Sequence, residues 1–181
     1  MDYLKARIVL WVGPKHSGKT TAAQRLADEL VAEGEAVAGI LAPAIYQQKT
    51  LVGFEVLDIA TGSRKPLAQR AAHNGADTGR FSFCPEGWDF GNRALHPTRT
   101  RGARLVVVDE FGPLELAGKG WRQAVDRLVC EHTGTILLVV REELATEVAR
   151  LFARAKPRSI QAPIAPQRSD QLLRPDLRQF V

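Results

Sequence analysis

The sequence predicts an α/β fold in which a predominantly parallel sheet is flanked by helices. Three observations carry that expectation. Short apolar runs without polar alternation recur at 8–12, 37–41, 105–108 and 135–140, as in strands covered on both faces. Segments with apolar residues at helical spacing separate them. The first run leads directly into a glycine-rich loop and a helix, the opening of an α/β unit whose ligands gather at the strands' carboxyl ends. With 181 residues and no internal repeat or linker-like stretch, the chain 1–181 reads as a single domain.

Taken in order, the first strand is Ile8-Val9-Leu10-Trp11-Val12. The loop after it, Gly13-Pro14-Lys15-His16-Ser17-Gly18-Lys19-Thr20, fits GxxxxGKS/T, the phosphate-binding loop. Gly13 and Gly18 let the backbone curl so that successive N–H groups point at phosphate oxygens, on a helix N-terminus that already favours an anion. Lys19 is placed to reach the β- and γ-phosphates and the Thr20 hydroxyl to ligate Mg²⁺; with Thr21, these residues form the expected nucleotide-binding set. Lys15 and His16 add charge beside Lys19 and either tighten triphosphate binding or face solvent. The helix that follows carries Ala23, Leu26, Ala27 and Leu30 on one face and stops at Gly34.

After a second strand at 37–41 the pattern changes. Ile45-Tyr46 and 51–59 are strand-like, with Gln47-Gln48-Lys49-Thr50 as a turn and Val52, Phe54 and Val56 alternating with Gly53, Glu55 and Leu57. Thr61-Gly62-Ser63 closes this unit, so an inserted β-hairpin is expected at about 44–62. His73 to Gly79 is polar and glycine-rich and reads as a mobile loop. A helix is expected at 88–95, against the propensity of Gly87 and Gly91. Then come the strand at 105–108, a helix with Trp121, Ala124, Val125, Leu128 and Val129 on one face, and the strand at 135–140. A helix carrying Leu144, Val148, Leu151 and Phe152 and a short strand near Ile160 complete the order. Trp11 and Trp121 fall within apolar patterns and read as packing residues.

An apolar strand ending in acid, Leu105-Val106-Val107-Val108-Asp109-Glu110, is the form of a Walker B strand. Asp109 is then placed to hold Mg²⁺ directly or through water. Side chains alternate along a strand, so Glu110 points elsewhere and is the residue expected to orient and activate an attacking water. Arg141 directly follows the strand at 135–140. If that strand lies between the phosphate-loop and Walker B strands, Arg141 can sense the γ-phosphate; a helix-capping pair with Glu142 or Glu143 is the alternative. Lys19, Glu110 and Arg141 are therefore the expected catalytic residues, with Lys119, Arg101 and Arg168 as secondary candidates.

The stretch Asp109-Glu110-Phe111-Gly112 followed by Glu115-Leu116 resembles the DEIG and EL segments of the small nucleoside-triphosphatases of archaea and bacteria, a family with a human member called cancer-related nucleoside-triphosphatase. The phosphate loop of that family ends GKTT, as in Gly18-Lys19-Thr20-Thr21, and its hairpin carries a pair like Gly53-Phe54. The resemblance implies a P-loop NTPase fold with a RecA-like sheet, in which an additional strand separates the phosphate-loop and Walker B strands. It also implies Mg²⁺-dependent hydrolysis of ATP, GTP and other triphosphates with loose base preference. Glu115 would brace the loop after Walker B or take part in catalysis. This chain departs from the pattern at Lys15-His16-Ser17, where small residues are usual, and at Phe111, usually aliphatic. Gln167-Arg168 is its nearest match to an Asn-Arg pair of the C-terminal stretch.

Function is thus expected to be NTP hydrolysis. Transfer to a nucleotide or small-metabolite acceptor and a slow NTP-dependent switch are the alternatives. Composition narrows the partners. No apolar run approaches the ~20 residues of a membrane span, and the N-terminal stretch lacks a signal-peptide core, so a cytoplasmic protein is expected. Cys84 and Cys130 are too few and too far apart for a disulfide framework or a cysteine metal site. A net charge of +5 raises nucleic acid as a partner, but no aromatic residues alternate with the basic ones, and a polyphosphate site accounts for the excess charge. A monomer is expected.

Overall fold

The computed structural model describes residues 6–73 and 76–162. The strands are β1 (Arg7–Gly13), β2 (Val37–Leu41), β3 (Ala44–Gln47), β4 (Thr50–Asp58), β5 (Arg64–His73), β6 (Ala76–Phe83), β7 (Leu105–Val108), β8 (Thr135–Arg141) and β9 (Arg158–Gln161). The helices are α1 (Lys19–Ala32), α2 (Pro85–Ala94), two single turns α3 (Pro97–Thr100) and α4 (Pro113–Leu116), then α5 (Arg122–Glu131) and α6 (Ala145–Leu151). Among the described residues all nine strands join one sheet, ordered β6-β5-β4-β2-β7-β8-β1-β9, with β3 paired to β4.

The five strands β2, β7, β8, β1 and β9 are parallel. Their apolar runs are continuous because both faces are covered, and the pleat sorts successive residues between two cores. Ile8, Leu10, Val12, Val106, Val108, Ile136, Leu138 and Val140 face one layer, with Ala124, Val125 and Leu128 of α5 and Val148 of α6. Val9, Trp11, Leu105, Val107, Leu137 and Val139 face the other, against Ala23, Leu26, Ala27 and Leu30 of α1. The two tryptophans expected to pack do so, at 1% and 2% exposure. Strand β8 lies between β1 and β7, which is the additional strand of the RecA-like arrangement.

The expected hairpin is part of a larger antiparallel extension. Four strands, β3 through β6, continue the sheet beyond β2, so this unit runs past 62 to Phe83. The segment expected as a mobile loop is mostly strand: His73 ends β5 opposite Ala76 of β6, with 74 and 75 outside the described residues. Few apolar residues mark β6, yet ring contacts tie this region together. Phe54 meets Phe81 edge-on at 5.3 Å, Phe83 meets Trp88 at 5.2 Å, and Trp88 meets Trp121 at 4.2 Å. Only Leu57 and Asp58 of β4 pair with β2, at Leu41 and Ile40; the rest of β4 and all of β3 stand past the carboxyl end of β2.

The helix expected at 88–95 begins three residues earlier, at Pro85, a residue suited to a first helical turn. Its two glycines reflect close approach. A Cβ at Gly87 would stand 2.1 Å from the Pro66 carbonyl oxygen, and one at Gly91 would stand 2.6 Å from the Trp121 ring.

Close approach is tighter still in the middle of β2. Gly39 has φ +111°, and a Cβ there would lie 2.0 Å from the Val107 carbonyl oxygen. Gly39→Ala is therefore expected to destabilise the fold by about 3 kcal/mol, combining strain and overpacking. Thermal unfolding should show a Tm lowered by roughly 6–12 °C; a wild-type Tm would contradict the packing of β2 on β7.

Candidate active site

The carboxyl ends of β1, β7 and β8 bring the predicted residues to one edge of the sheet. Gly13 ends β1 and Arg141 ends β8, and the two are register partners across the ladder. The loop then turns through Gly18, whose left-handed backbone (φ 80°) starts α1 at Lys19. The chain does not stop the helix dipole with a side-chain cap there, so the N-terminal N–H groups are available to an anion.

Lys19 is buried at 8% exposure, with its ammonium donating to the Gly13 and Pro14 carbonyl oxygens at 3.0 and 2.5 Å. Burial lowers its pKa from the ordinary value, against the opposing pull of Glu110 and Asp109. Lys15 and His16 are exposed on the loop. The Ser17 hydroxyl is buried without a hydrogen-bond partner.

Asp109 is 1% exposed at the end of β7. Its carboxylate accepts the Ala42 N–H and the Glu110 N–H, each at 3.0 Å, and a hydrogen bond from the Thr20 hydroxyl. The two side chains expected at the metal thus meet, and they offer a hydroxyl and a carboxylate, the hard oxygen donors that suit magnesium. Burial pushes the Asp109 carboxyl up to about 6, opposed by the Ala42 N–H. Since that lies above the ordinary value, the group favours the fold most at acidic pH and progressively opposes it as pH rises through about 6. At neutral pH the buried charge is a cost that a cation beside it would offset.

Glu110 leaves the strand in a left-handed conformation (φ 58°), uncommon for a non-glycine residue and costing about 1 kcal/mol. The kink turns its carboxylate outward, where it accepts from Arg141 Nη2 at 3.5 Å. The chain is then pulled back onto the sheet, with the Phe111 N–H donating to the Val139 carbonyl at 3.1 Å and the Phe111 ring buried 5.7 Å from that of Phe152. Arg141 pairs with Glu110 rather than with Glu142 or Glu143 among the described contacts.

Glu115 is a brace. It is 2% exposed, and its carboxylate accepts the Gly112 N–H at 2.8 Å and the Trp121 N–H at 3.0 Å, closing the loop after Glu110. Burial raises its pKa against those two bonds. Among the described secondary candidates, Arg101 does not join the site. Arg101 lies before the amino end of β7, where Arg104 N–H bonds the Ala36 carbonyl, at the opposite edge. Lys119 is exposed in the loop that Glu115 closes. Gln167 and Arg168 lie outside the described residues. Sequence reasoning missed the Ala42 N–H, and no residue pattern marks it, because the donor is backbone.

The family model described as NTPase matches residues 8–173. The chain belongs to this NTPase family. Its relatives include the nucleoside-triphosphatases THEP1 of Ignicoccus hospitalis, 35% identical over 65% of this chain and 66% of that one, and of Methanopyrus kandleri, 32% identical over 72% of each. That of Hyperthermus butylicus is 32% identical over 84% of this chain and 79% of its own length. Among solved structures, the fold is shared with a human cancer-related nucleoside triphosphatase (TM-score 0.66, 22% identity, 93% of this chain and 94% of that one) and with THEP1 from Aquifex aeolicus (TM-score 0.61, 18% identity, 92% and 94%). Family membership and fold are as the two motifs implied.

Glu115 and Glu110 respond differently to substitution if one braces and the other faces solvent. Glu115→Ala leaves two buried N–H groups unpaired and should destabilise the protein by about 3 kcal/mol. Glu110→Gln, at an exposed side chain, should stay within about 0.5 kcal/mol of wild type. Thermal unfolding of both variants decides, and equal melting points would remove the brace.

Proposed function

We propose that this protein is a magnesium-dependent hydrolase of nucleoside triphosphates, releasing phosphate, with loose base preference. The observation that carries the reading is the meeting, at one sheet edge, of Lys19, the Thr20–Asp109 pair and the Glu110–Arg141 pair. The names of the THEP1 relatives, which specify nucleoside triphosphates and no single base, support the same class of substrate.

The phosphate loop would hold the triphosphate through backbone N–H groups, with Lys19 exchanging the Gly13 and Pro14 carbonyls for β- and γ-phosphate oxygens. Thr20 and Asp109 would hold magnesium, whose charge offsets that of the phosphates when it is bound. Glu110 would accept a hydrogen bond from the attacking water and hold it in line with the bond from the γ-phosphorus to the bridging oxygen. That bond breaks as the bond from water oxygen forms. Arg141 would turn from Glu110 to the γ-phosphoryl oxygens, where charge accumulates. One movement thereby supplies a cation to the phosphoryl group and frees the carboxylate for water.

One observation favours a second reading. The hairpin β3–β4 stands past the carboxyl end of β2, next to Ala42 and Asp109, where a phosphoryl acceptor other than water could dock.

Phosphate release from ATP, GTP, CTP and UTP with magnesium and no acceptor separates the two. Release from all four supports hydrolysis with loose base preference, and none without an added acceptor would favour a kinase. Lys19→Ala should abolish turnover, and full activity would sink the phosphate-loop assignment. Glu110→Gln should bind triphosphate at least as tightly as wild type, since Arg141 is released to the phosphate, while single-turnover hydrolysis slows by ~10²-fold or more. Arg141→Ala should slow hydrolysis as well; an unchanged single-turnover rate takes it out of the reaction.

A further inference from the structure

A second concave site lies away from the phosphate loop. Its cavity of about 520 Å³ is bounded by α2, α3, α5 and the end of β4. Asp58 ends β4 paired with Ile40 of β2 and shares its face of the sheet, the face covered by α5, so the cavity lies across the sheet from α1, the helix that the phosphate loop starts.

Four donors line this cavity: Arg93 of α2, His96 at the N-cap of α3, Arg99 of α3, and Arg127 of α5. Arg99 is pre-organised. Its Nη2 donates at 3.1 Å to Asp58, which is buried and fixed in turn by the Ala60 N–H at 3.1 Å and the Thr61 hydroxyl at 3.0 Å. That geometry occupies one nitrogen and leaves the remaining guanidinium donors of a half-exposed side chain. His96 presents its Nε2 side, because Nδ1 is taken by the Thr98 N–H at 3.3 Å and the Thr98 hydroxyl at 2.8 Å. Arg93 and Arg127 make no ion pair among the described residues, although both border the cavity. The acids in the lining are Asp58, already engaged, and the exposed Asp89, one turn before Arg93 on α2.

Two arginines without an ion pair among the described residues, beside a third that Asp58 holds through one nitrogen, offer a cavity of this size the guanidinium forks that bind a phosphoryl group bidentately. We propose that this cavity binds a small phosphorylated anion, through Arg93, Arg99 and Arg127, independently of the phosphate loop. Inorganic phosphate or pyrophosphate and the phosphate of a nucleoside monophosphate share that chemistry. Arg93 and Arg99, which the hydrolytic site leaves without a role, acquire one here.

Calorimetric titration of the full chain with pyrophosphate tests the proposal. Wild type should show two classes of site. The doubly substituted Arg93→Gln, Arg127→Gln protein should keep the class belonging to the phosphate loop and lose roughly 100-fold in affinity at the other, about tenfold for each arginine. Lys19→Ala should weaken the complementary class. One class in wild type, or two unchanged classes in the double variant, would overturn the site. Both substituted side chains are exposed and unpaired, so the variant should melt as wild type does, and an unaltered Tm excludes general unfolding as the cause. Parallel titrations with inorganic phosphate and adenosine monophosphate identify the source: tighter binding of the monophosphate at this class assigns it to a nucleotide, and the reverse order to the free anion.

Discussion

The buried carboxylate of Asp109 is the constraint on which the site depends. It ends β7 inside the protein and is held by a backbone N–H after β2, by the N–H of the next residue and by the first turn of α1 through Thr20. A charge at that depth is tolerated only where donors converge on it. Three separate segments are thereby brought into register, and the phosphate loop sits correctly beside β7 because Thr20 is part of the same cluster. The elevated pKa of about 6 is the mark of incomplete compensation. A cation beside the carboxylate would complete that compensation.

Around that centre the protein divides labour between adjacent acids. Asp109 is inward and buried, whereas Glu110 is kinked outward by its positive φ and held by Arg141. Glu115 does neither. It satisfies two N–H groups and makes the returning loop rigid, so that Glu110 projects from a fixed support. These three carboxylates look alike as letters, and burial, backbone angle and partner set them apart.

The parallel half of the fold was legible because its physics is local. A strand covered on both faces must be apolar throughout, and a helix on a sheet must repeat its apolar residues at its own period. The antiparallel half was not. Strands β5 and β6 are paired mainly with each other and with β4, and little in 64–80 alternates in hydropathy. Asp77 and Gly79 are residue types common in loops, yet backbone pairing keeps that segment in a ladder. The aromatic contacts that anchor it, from Phe54 to Phe81 and from Phe83 through Trp88 to Trp121, join residues far apart in the chain. Similarly, the arginines at 93 and 127 border one cavity only because α3 packs against both α2 and α5.

The sequence alone determined the phosphate-loop pattern, the acid-ended strand and the family they imply, and it singled out Lys19, Thr20, Asp109 and Glu110 as candidates. Each of these is written within a few consecutive residues, where backbone geometry translates spacing directly into direction. Tertiary structure decided the rest: that β8 lies between β1 and β7, that Arg141 therefore meets Glu110, that Lys15 and His16 are exposed, and that Glu115 braces. Those outcomes depend on strand order and on contacts between segments many residues apart, and no local pattern encodes which strand will lie beside which.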